Sequence, residues 1–210
     1  MEIIIEQVKN DDGVEAIMQI REQVFVRELG ITLAPSSASE NGRATFLLAR
    51  VGLDRKPVGS LCVIDTSHDR KLHQSFGLKF ESKARVARYT HLAVLKPYRG
   101  CHIPLAMMLA AYRRVIVPRH FDYTWLLFDV ERAADSFLVH RLGFGTLPET
   151  FVSEYGCRCP LVRDERTLSS AQFIRQAESY LEQQDLNALN DRASLKHTRE
   201  TLMTCAARSR

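Results

Sequence analysis

Residues 85–105, RVARYTHLAVLKPYRGCHIPL, decide the fold. The apolar, aromatic and β-branched first half predicts a strand that ends before Pro97, and the apolar run after Gly100 predicts a buried helix with Pro104 near its start. The first N–H groups of a helix have no internal partner, so such a corner attracts anions. Arg99 adds a cation that suits phosphate. The stretch predicts a pyrophosphate site, with an ordinary strand–helix corner as the alternative.

The composition is that of a globular protein with one domain and an appendage. Of 210 residues, 45% are hydrophobic and 26% charged, and the net charge is +4. This weak, dispersed charge suits a polyanionic cofactor or an acidic carrier protein, but not nucleic acid. No apolar run reaches membrane-spanning length, and the acidic start, MEIIIEQVKNDD, lacks the pattern of a signal peptide. We therefore expect a cytoplasmic protein.

The cysteines also favour a reducing compartment such as the cytoplasm. Five of them are scattered along the chain, which favours reduced thiols over a disulfide framework. Cys157 and Cys159 are close in sequence, but no second Cys or His pair lies nearby with ligand spacing. We expect no metal site.

The elements follow the order strand, helix, hairpin, strand, helix, strand, helix, strand. The pattern predicts an α/β (α+β) domain over 1–165 and a helical extension over 166–210, which begins near Ser169 or Ser170. One helix is expected over 131–142, and a polar loop with a short helix as an option over 65–83. The expected strands are 2–8, 43–51, 58–64, 85–95, 122–130, 146–153 and 156–163.

Four local patterns accompany this order. They are R-x-x-V-F-x-x-E-x-G from Arg21 to Gly30, L-A-V from Leu92, P-Y-R-G from Pro97, and R-L-G-F ending at Phe144. Together they resemble the GNAT superfamily of acyl-CoA N-acyltransferases, nearest in look to the N-acyl amino acid synthase and acyl-homoserine-lactone synthase branches. The resemblance implies a mixed sheet of six or seven strands, splayed between strands 4 and 5 and flanked by helices.

The resemblance also implies the donor and where it lies. Acyl-CoA, or acyl-phosphopantetheine on an acyl carrier protein, would run along the open backbone of the fourth strand to the helix start. The family's loop is usually [RQ]-x-x-G-x-[GA], whereas His102 and Pro104 stand here at the two later small positions. Pro104 has no N–H for a phosphate. The implied donor-binding residues are Leu92, Ala93, Val94, Arg99, Gly100, Cys101, His102 and Ile103.

The acceptor side departs further from the family. Those two branches carry E-x-[ST]-R on the fourth strand, and Arg88, Thr90 and His91 occupy its positions here. The usual carboxylate base is absent. His91, beside Thr90, is the best local replacement as base, because histidine titrates near neutral pH. A structural strand histidine is the alternative.

Two arginines and a phenylalanine complete the expected acceptor site. Arg88 would hold a substrate carboxylate, and Arg21 and Phe25 of the first helix would contact the acceptor. An ion pair of Arg21 with Glu22 or Glu28 would be a structural alternative. Other candidate bases are Glu81 and Asp65, and other candidate proton donors to the leaving thiolate are Ser136 and His140.

The function implied is transfer of an acyl group from acyl-CoA or acyl carrier protein to the amine of a small molecule such as an amino acid. A non-catalytic acyl-CoA-binding or protein-interaction module is one alternative, and a lactone-type signal synthase is another. The sequence leaves open the acyl chain length, the acceptor's identity and whether the chain forms a homodimer.

Overall fold

A sheet of eight strands forms the centre of the computed structural model within the described residues, 2–31, 42–154, 156–167 and 169–184. The strands lie in the order β1-β2-β3-β4-β5-β8-β6, and β7 also pairs with β8. They are β1 (Ile3–Gln7), β2 (Ala44–Val51), β3 (Lys56–Asp65), β4 (Val86–Val94), β5 (Tyr123–Asp129), β6 (Gly145–Thr146), β7 (Phe151–Ser153) and β8 (Gly156–Asp164).

The helices connect these strands. They are α1 (Asp11–Arg21), α2 (Arg70–Ser75), α3 (Ile103–Ala111), α4 (Val130–Ala133), α5 (Phe137–His140) and α6 (170–184). Both α1 and α3 continue as wider π-helical turns, Glu22–Glu28 and Tyr112–Ile116. The chain divides into two compact units, Met1–Ala177 and Glu178–Arg210. The predicted extension at 166–210 stays a prediction, since 185–210 lie outside the described residues.

Two segments differ in detail from the sequence prediction. The helix expected over 131–142 is two short helices, because Ser136 has an extended backbone and its hydroxyl accepts a hydrogen bond from the Val139 N–H, which starts a new helix. The strand expected over 146–153 is split into β6 and β7, which brings the strand number to eight. The loop predicted over 65–83 does contain a short helix, α2, which Asp69 caps, so this segment agrees with the prediction.

Strands β4 and β5 diverge, and this divergence positions the site. They pair in parallel only as Val86↔Tyr123, Ala87↔Thr124 and Arg88↔Trp125. Beyond Arg88, β4 stays paired with β3 while β5 stays paired with β8. The predicted splay between the fourth and fifth strands is therefore confirmed.

The helices on either side of the gap are fixed by close packing. An apolar stripe of α1 and its π turn packs on Leu48 and Ala93 of the sheet; its members are Ile17, Ile20, Val24 and Phe25. The start of α3 lies directly on β3, since a Cβ at Gly59 would be 3.1 Å from Ile103 Cγ2 and 3.3 Å from Met107 Sδ. Glycine at this position lets the start of α3 sit against the sheet.

Candidate active site

The backbone edge of β4 that faces the gap begins after Arg88. The pairing Cys62↔Thr90 and Ser60↔Ala93 leaves two β4 residues opposite one β3 residue, which is a β-bulge. His91 lies in this bulge with a left-handed backbone, φ 51°. A left-handed conformation costs a residue other than glycine about 1 kcal/mol. Such strain concentrates at functional sites, which favours a role for the bulge in the site.

The turn into α3 shows a second case of the same strain. Gly100 has φ 85° and His102 has φ 57°, and α3 then begins at Ile103 with Pro104 next. His102 thus adopts the conformation that a glycine would take, despite its side chain. It makes no side-chain capping hydrogen bond, so the first N–H groups of α3 are left to other acceptors. Pro104 removes one of those donors.

Arg99 lies beside this turn and is already engaged. Its Nη2 donates to Glu28 Oε2 at 2.5 Å, and its Nε donates to the Val94 carbonyl at 3.0 Å. The structure therefore places the predicted phosphate-binding cation at the end of β4. It also shows a carboxylate from the first helix holding that cation.

Three predicted acceptor-side residues come together around the bulge. His91 Nδ1 is buried and has no hydrogen-bond partner in the described part of the chain. Burial, followed by the positive charges of Arg21 and Arg88, lowers the pKa of His91 to about 4. At neutral pH the imidazole is therefore uncharged, and in this state it is a much weaker base than the ordinary histidine pKa would give.

The two arginines are held by aromatic rings. The Arg21 side chain is buried, with its guanidinium carbon 5.3 Å from the centre of the Phe46 ring. The Arg88 guanidinium carbon lies 4.6 Å from the Trp125 ring and 5.4 Å from the Phe76 ring. Rings from β5 and from the end of α2 thus fix Arg88 at the point where the gap opens.

Both carboxylates that could have formed an ion pair with Arg21 bind other arginines. Glu22 accepts a hydrogen bond from Arg27 at 2.9 Å, and Glu28 is bound to Arg99. Sequence reasoning missed this role of Glu28. The available signal was its spacing of four residues from the apolar Val24.

The other predicted residues have plainer surroundings. Thr90 is half-buried opposite Cys62, Cys101 is half-buried in the turn, and Phe25 is buried in the core under α1. Their functional roles stay predictions.

The alternative bases and proton donors mostly have structural partners. Glu81 accepts hydrogen bonds from Tyr123 and Arg166, Asp65 accepts two from Ser67, and Ser136 caps α5. His140 is exposed.

Within the same described ranges, no group of three or more His, Cys, Asp or Glu side chains is arranged to hold a metal ion. No described helix has the length and apolar character needed to cross a membrane.

Several solved structures share this architecture. The CoA-dependent acyl-homoserine-lactone synthase BjaI, solved with SAM and isopentyl-CoA, matches at 15% identity over 86% of this chain and 90% of its own, with a TM-score of 0.66. FeeM, an N-acyl amino acid synthase from uncultured soil microbes, matches at 11% identity over 78% and 91%, with a TM-score of 0.60. A GNAT-family acetyltransferase from Staphylococcus aureus matches at 13% identity over 78% and 99%, with a TM-score of 0.53.

The chain has the GNAT fold. This confirms the resemblance drawn from the four motifs and their order. No family model and no curated protein matches the sequence. Because the identities to these GNAT structures are low, the likeness establishes the fold, and the chemistry must be argued from this chain's own residues.

Proposed function

We propose that this protein is an N-acyltransferase that moves an acyl group from acyl-CoA, or from acyl carrier protein, to the amine of a small molecule that also carries a carboxylate. One observation carries the proposal: pairing between β4 and β5 ends at Arg88, so the edge of β4 beyond it faces a gap. This edge leads to a helix start without a side-chain cap. The arrangement suits a long donor with amide groups along its arm and phosphates at its end.

The donor would be bound mainly by backbone. The amides of its pantetheine arm would pair with the open edge near Ala93 and Val94, and its phosphates would lie at the first N–H groups of α3. A backbone N–H of the same edge would polarise the thioester carbonyl as charge develops on its oxygen. The contacts along β4 depend on strand geometry, so they tolerate His102 and Pro104, whereas the contacts at α3 lose the N–H that Pro104 lacks.

The acceptor would be selected by charge. Arg21 and Arg88 both act electrostatically on His91, and therefore both lie near it. A carboxylate between them would form charge-assisted hydrogen bonds, which are the strong kind. An amino acid or a related amine with a carboxylate fits this requirement, whereas a simple amine does not.

The same carboxylate would prepare His91 for catalysis. Its negative charge would offset the two positive charges that lower the pKa of His91, so acceptor binding would raise that pKa. His91 would then accept a proton from the acceptor's ammonium group. The freed amine attacks the thioester carbon, the C–S bond breaks, and the departing thiolate receives the second proton of the nitrogen.

The test is a matrix of acyl-CoAs of different chain lengths against a pool of amino acids and of amines without a carboxylate. Release of free thiol and formation of the amide, measured by mass spectrometry, would depend on the carboxylate. His91→Ala should lower the rate at least about 100-fold, as expected for loss of a general base. His120→Ala is the matched control, because His120 also has a left-handed backbone, φ 51°, but is exposed.

The alternative is a module that binds acyl-CoA without turnover. The missing carboxylate base on β4 and the lowered pKa of His91 favour it. Saturable CoA binding, with no amide formed across the whole matrix from acyl-CoA or acyl carrier protein, would replace the transferase proposal by this one.

A further inference from the structure

Glu28 occupies an unusual place for a carboxylate. It ends the π-helical turn that continues α1, and its side chain is only 19% exposed. A carboxylate withdrawn from water to this extent needs a charged or hydrogen-bonding partner. Arg99, from the turn before α3, supplies it at 2.5 Å.

Arg99 is thereby tied to two elements at once. Its Nε donates to the Val94 carbonyl and its Nη2 donates to Glu28. These two nitrogens form one edge of the guanidinium fork, and such an edge is what binds a phosphate through two parallel hydrogen bonds. In this arrangement that edge is occupied by the protein itself. The Val94 carbonyl is likewise one of the backbone groups assigned above to the pantetheine arm.

We infer that Glu28 is a positioning residue that holds Arg99 away from the donor, so that a phosphate of the donor reaches this edge of Arg99 only by displacing the carboxylate. The inference rests on the donor site of the proposed function. The end of the first helix would thus set the affinity of the site, because an incoming phosphate and Glu28 compete for the same edge of Arg99. Loss of the carboxylate charge should tighten binding of the donor rather than weaken it.

The experiment compares binding of CoA and of inorganic pyrophosphate by calorimetry to the wild-type protein, Glu28→Gln and Glu22→Gln. Glu28→Gln keeps the side-chain length and an accepting oxygen but removes the charge. Glu22→Gln is the matched control, since it makes the same charge change on the same helical turn, where the exposed carboxylate is bound to Arg27. For a partly exposed ion pair, Glu28→Gln should bind both probes about two- to five-fold more tightly.

Salt dependence separates this role from a purely structural one. The advantage of Glu28→Gln should shrink toward one at about 1 M salt, because screening weakens the competition between charges. A gain that persists at high salt would show a change of loop shape instead and would overturn the inference. Equal or weaker binding by Glu28→Gln at low salt would also overturn it.

The outcomes for the two proposals differ. If the wild type binds CoA and Glu28→Gln gives no gain, the donor site stands and the role of Glu28 is wrong. Binding by Glu28→Gln alone would support the inference strongly. If neither protein binds CoA or pyrophosphate, both the donor site and the role of Glu28 are rejected.

Discussion

Two groups of buried charged side chains lie along this sheet, and they are built in opposite ways. In the first, Arg163 is buried and forms an ion pair with Glu165, while it also donates to the Leu142 carbonyl at 2.8 Å and to the Tyr112 hydroxyl at 3.0 Å. Glu165 in turn accepts from Thr124 Oγ1 at 2.7 Å. The chain itself supplies the negative charge and the hydrogen-bond partners.

The second group surrounds His91. Here the two charges that act on the imidazole, those of Arg21 and Arg88, are both positive, and Nδ1 has no hydrogen-bond partner among the described residues. A fully satisfied buried network stabilises a fold, whereas a partly satisfied one costs stability. His91 Nδ1 is such an unsatisfied atom among the described residues, and we expect the acceptor to supply its hydrogen-bond partner.

The largest effect on stability should come from removing the carboxylate of the first group. Glu165→Ala leaves the Arg163 guanidinium buried without its carboxylate, which should lower the free energy of unfolding by about 3–5 kcal/mol. Urea unfolding measures this. The exposed pair of Arg27 and Glu22 is the control, and Glu22→Ala should change stability little. A loss under about 1 kcal/mol for Glu165→Ala would contradict the view that this buried ion pair stabilises the fold.

The second group should make the protein sensitive to acid. The pKa of His91 is about 4 in the folded chain and about 6.5 in the unfolded one, so the unfolded state binds more protons between these values. Stability from this residue is present above pH 6.5 and is lost as the pH falls toward 4. Its loss amounts to about 3 kcal/mol at most.

The measurement is the free energy of unfolding of the wild type and of His91→Gln between neutral pH and about pH 4. The wild type should lose stability faster than the variant as the pH falls. The pKa of His73 is also lowered, chiefly by burial, but His73 is present in both proteins and cancels in the difference. Parallel curves for the two proteins would show that His91 is not held in its neutral form by the fold.

A smaller effect is expected on acceptor binding. If Arg88 binds the acceptor's carboxylate, Arg88→Met should raise the KM for the acceptor about 10- to 100-fold, because a charged hydrogen bond contributes about 1.5–3 kcal/mol. The dissociation constant of CoA should stay unchanged. Arg50→Met is the control, since Arg50 binds Glu6 at the β1–β2 edge. An equal loss of CoA affinity in Arg88→Met would show that Arg88 serves the donor instead.

The two groups also differ in how far the sequence predicted them. The gap and the turn at Gly100 follow from a strand, a proline, a glycine and an apolar helix in succession, so they could be predicted from local sequence. The rings that hold Arg88 come from two distant segments, at Phe76 and Trp125. Nothing in the sequence around Arg88 indicates them, because such contacts depend on how strands pair.

The Arg163 network shows the same limit more strongly. Its members come from the π-helical turn after α3, from β5 and β8, and from the residues that follow α5 and β8. Only Leu142 lies in one of the four motifs, and it contributes only its backbone carbonyl. Phe173 of α6 stacks on Tyr112 with ring centres 3.9 Å apart, so the beginning of α6 packs beside this network. The capping signal near Ser169 predicted where α6 starts, and the Gln172 N–H donates to Ser169 Oγ at 3.4 Å. The partners of its buried face could not be predicted from local pattern.

The smallest expected effect concerns the left-handed backbone, which occurs at His91 in the bulge and at His102 in the turn before α3. His102→Gly should raise the free energy of unfolding by less than about 1 kcal/mol, since glycine adopts φ 57° without steric cost but gains freedom in the unfolded chain. His120→Gly, at φ 51° in an exposed turn, should give a similar gain in stability. Only His102→Gly should also tighten CoA binding, because it removes a side chain where the donor's phosphates approach the backbone. Equal CoA affinity in the two variants would mean that the left-handed backbone at His102 serves packing and not donor binding. Of the two strained histidines in the site, His91 alone would then keep a proposed function.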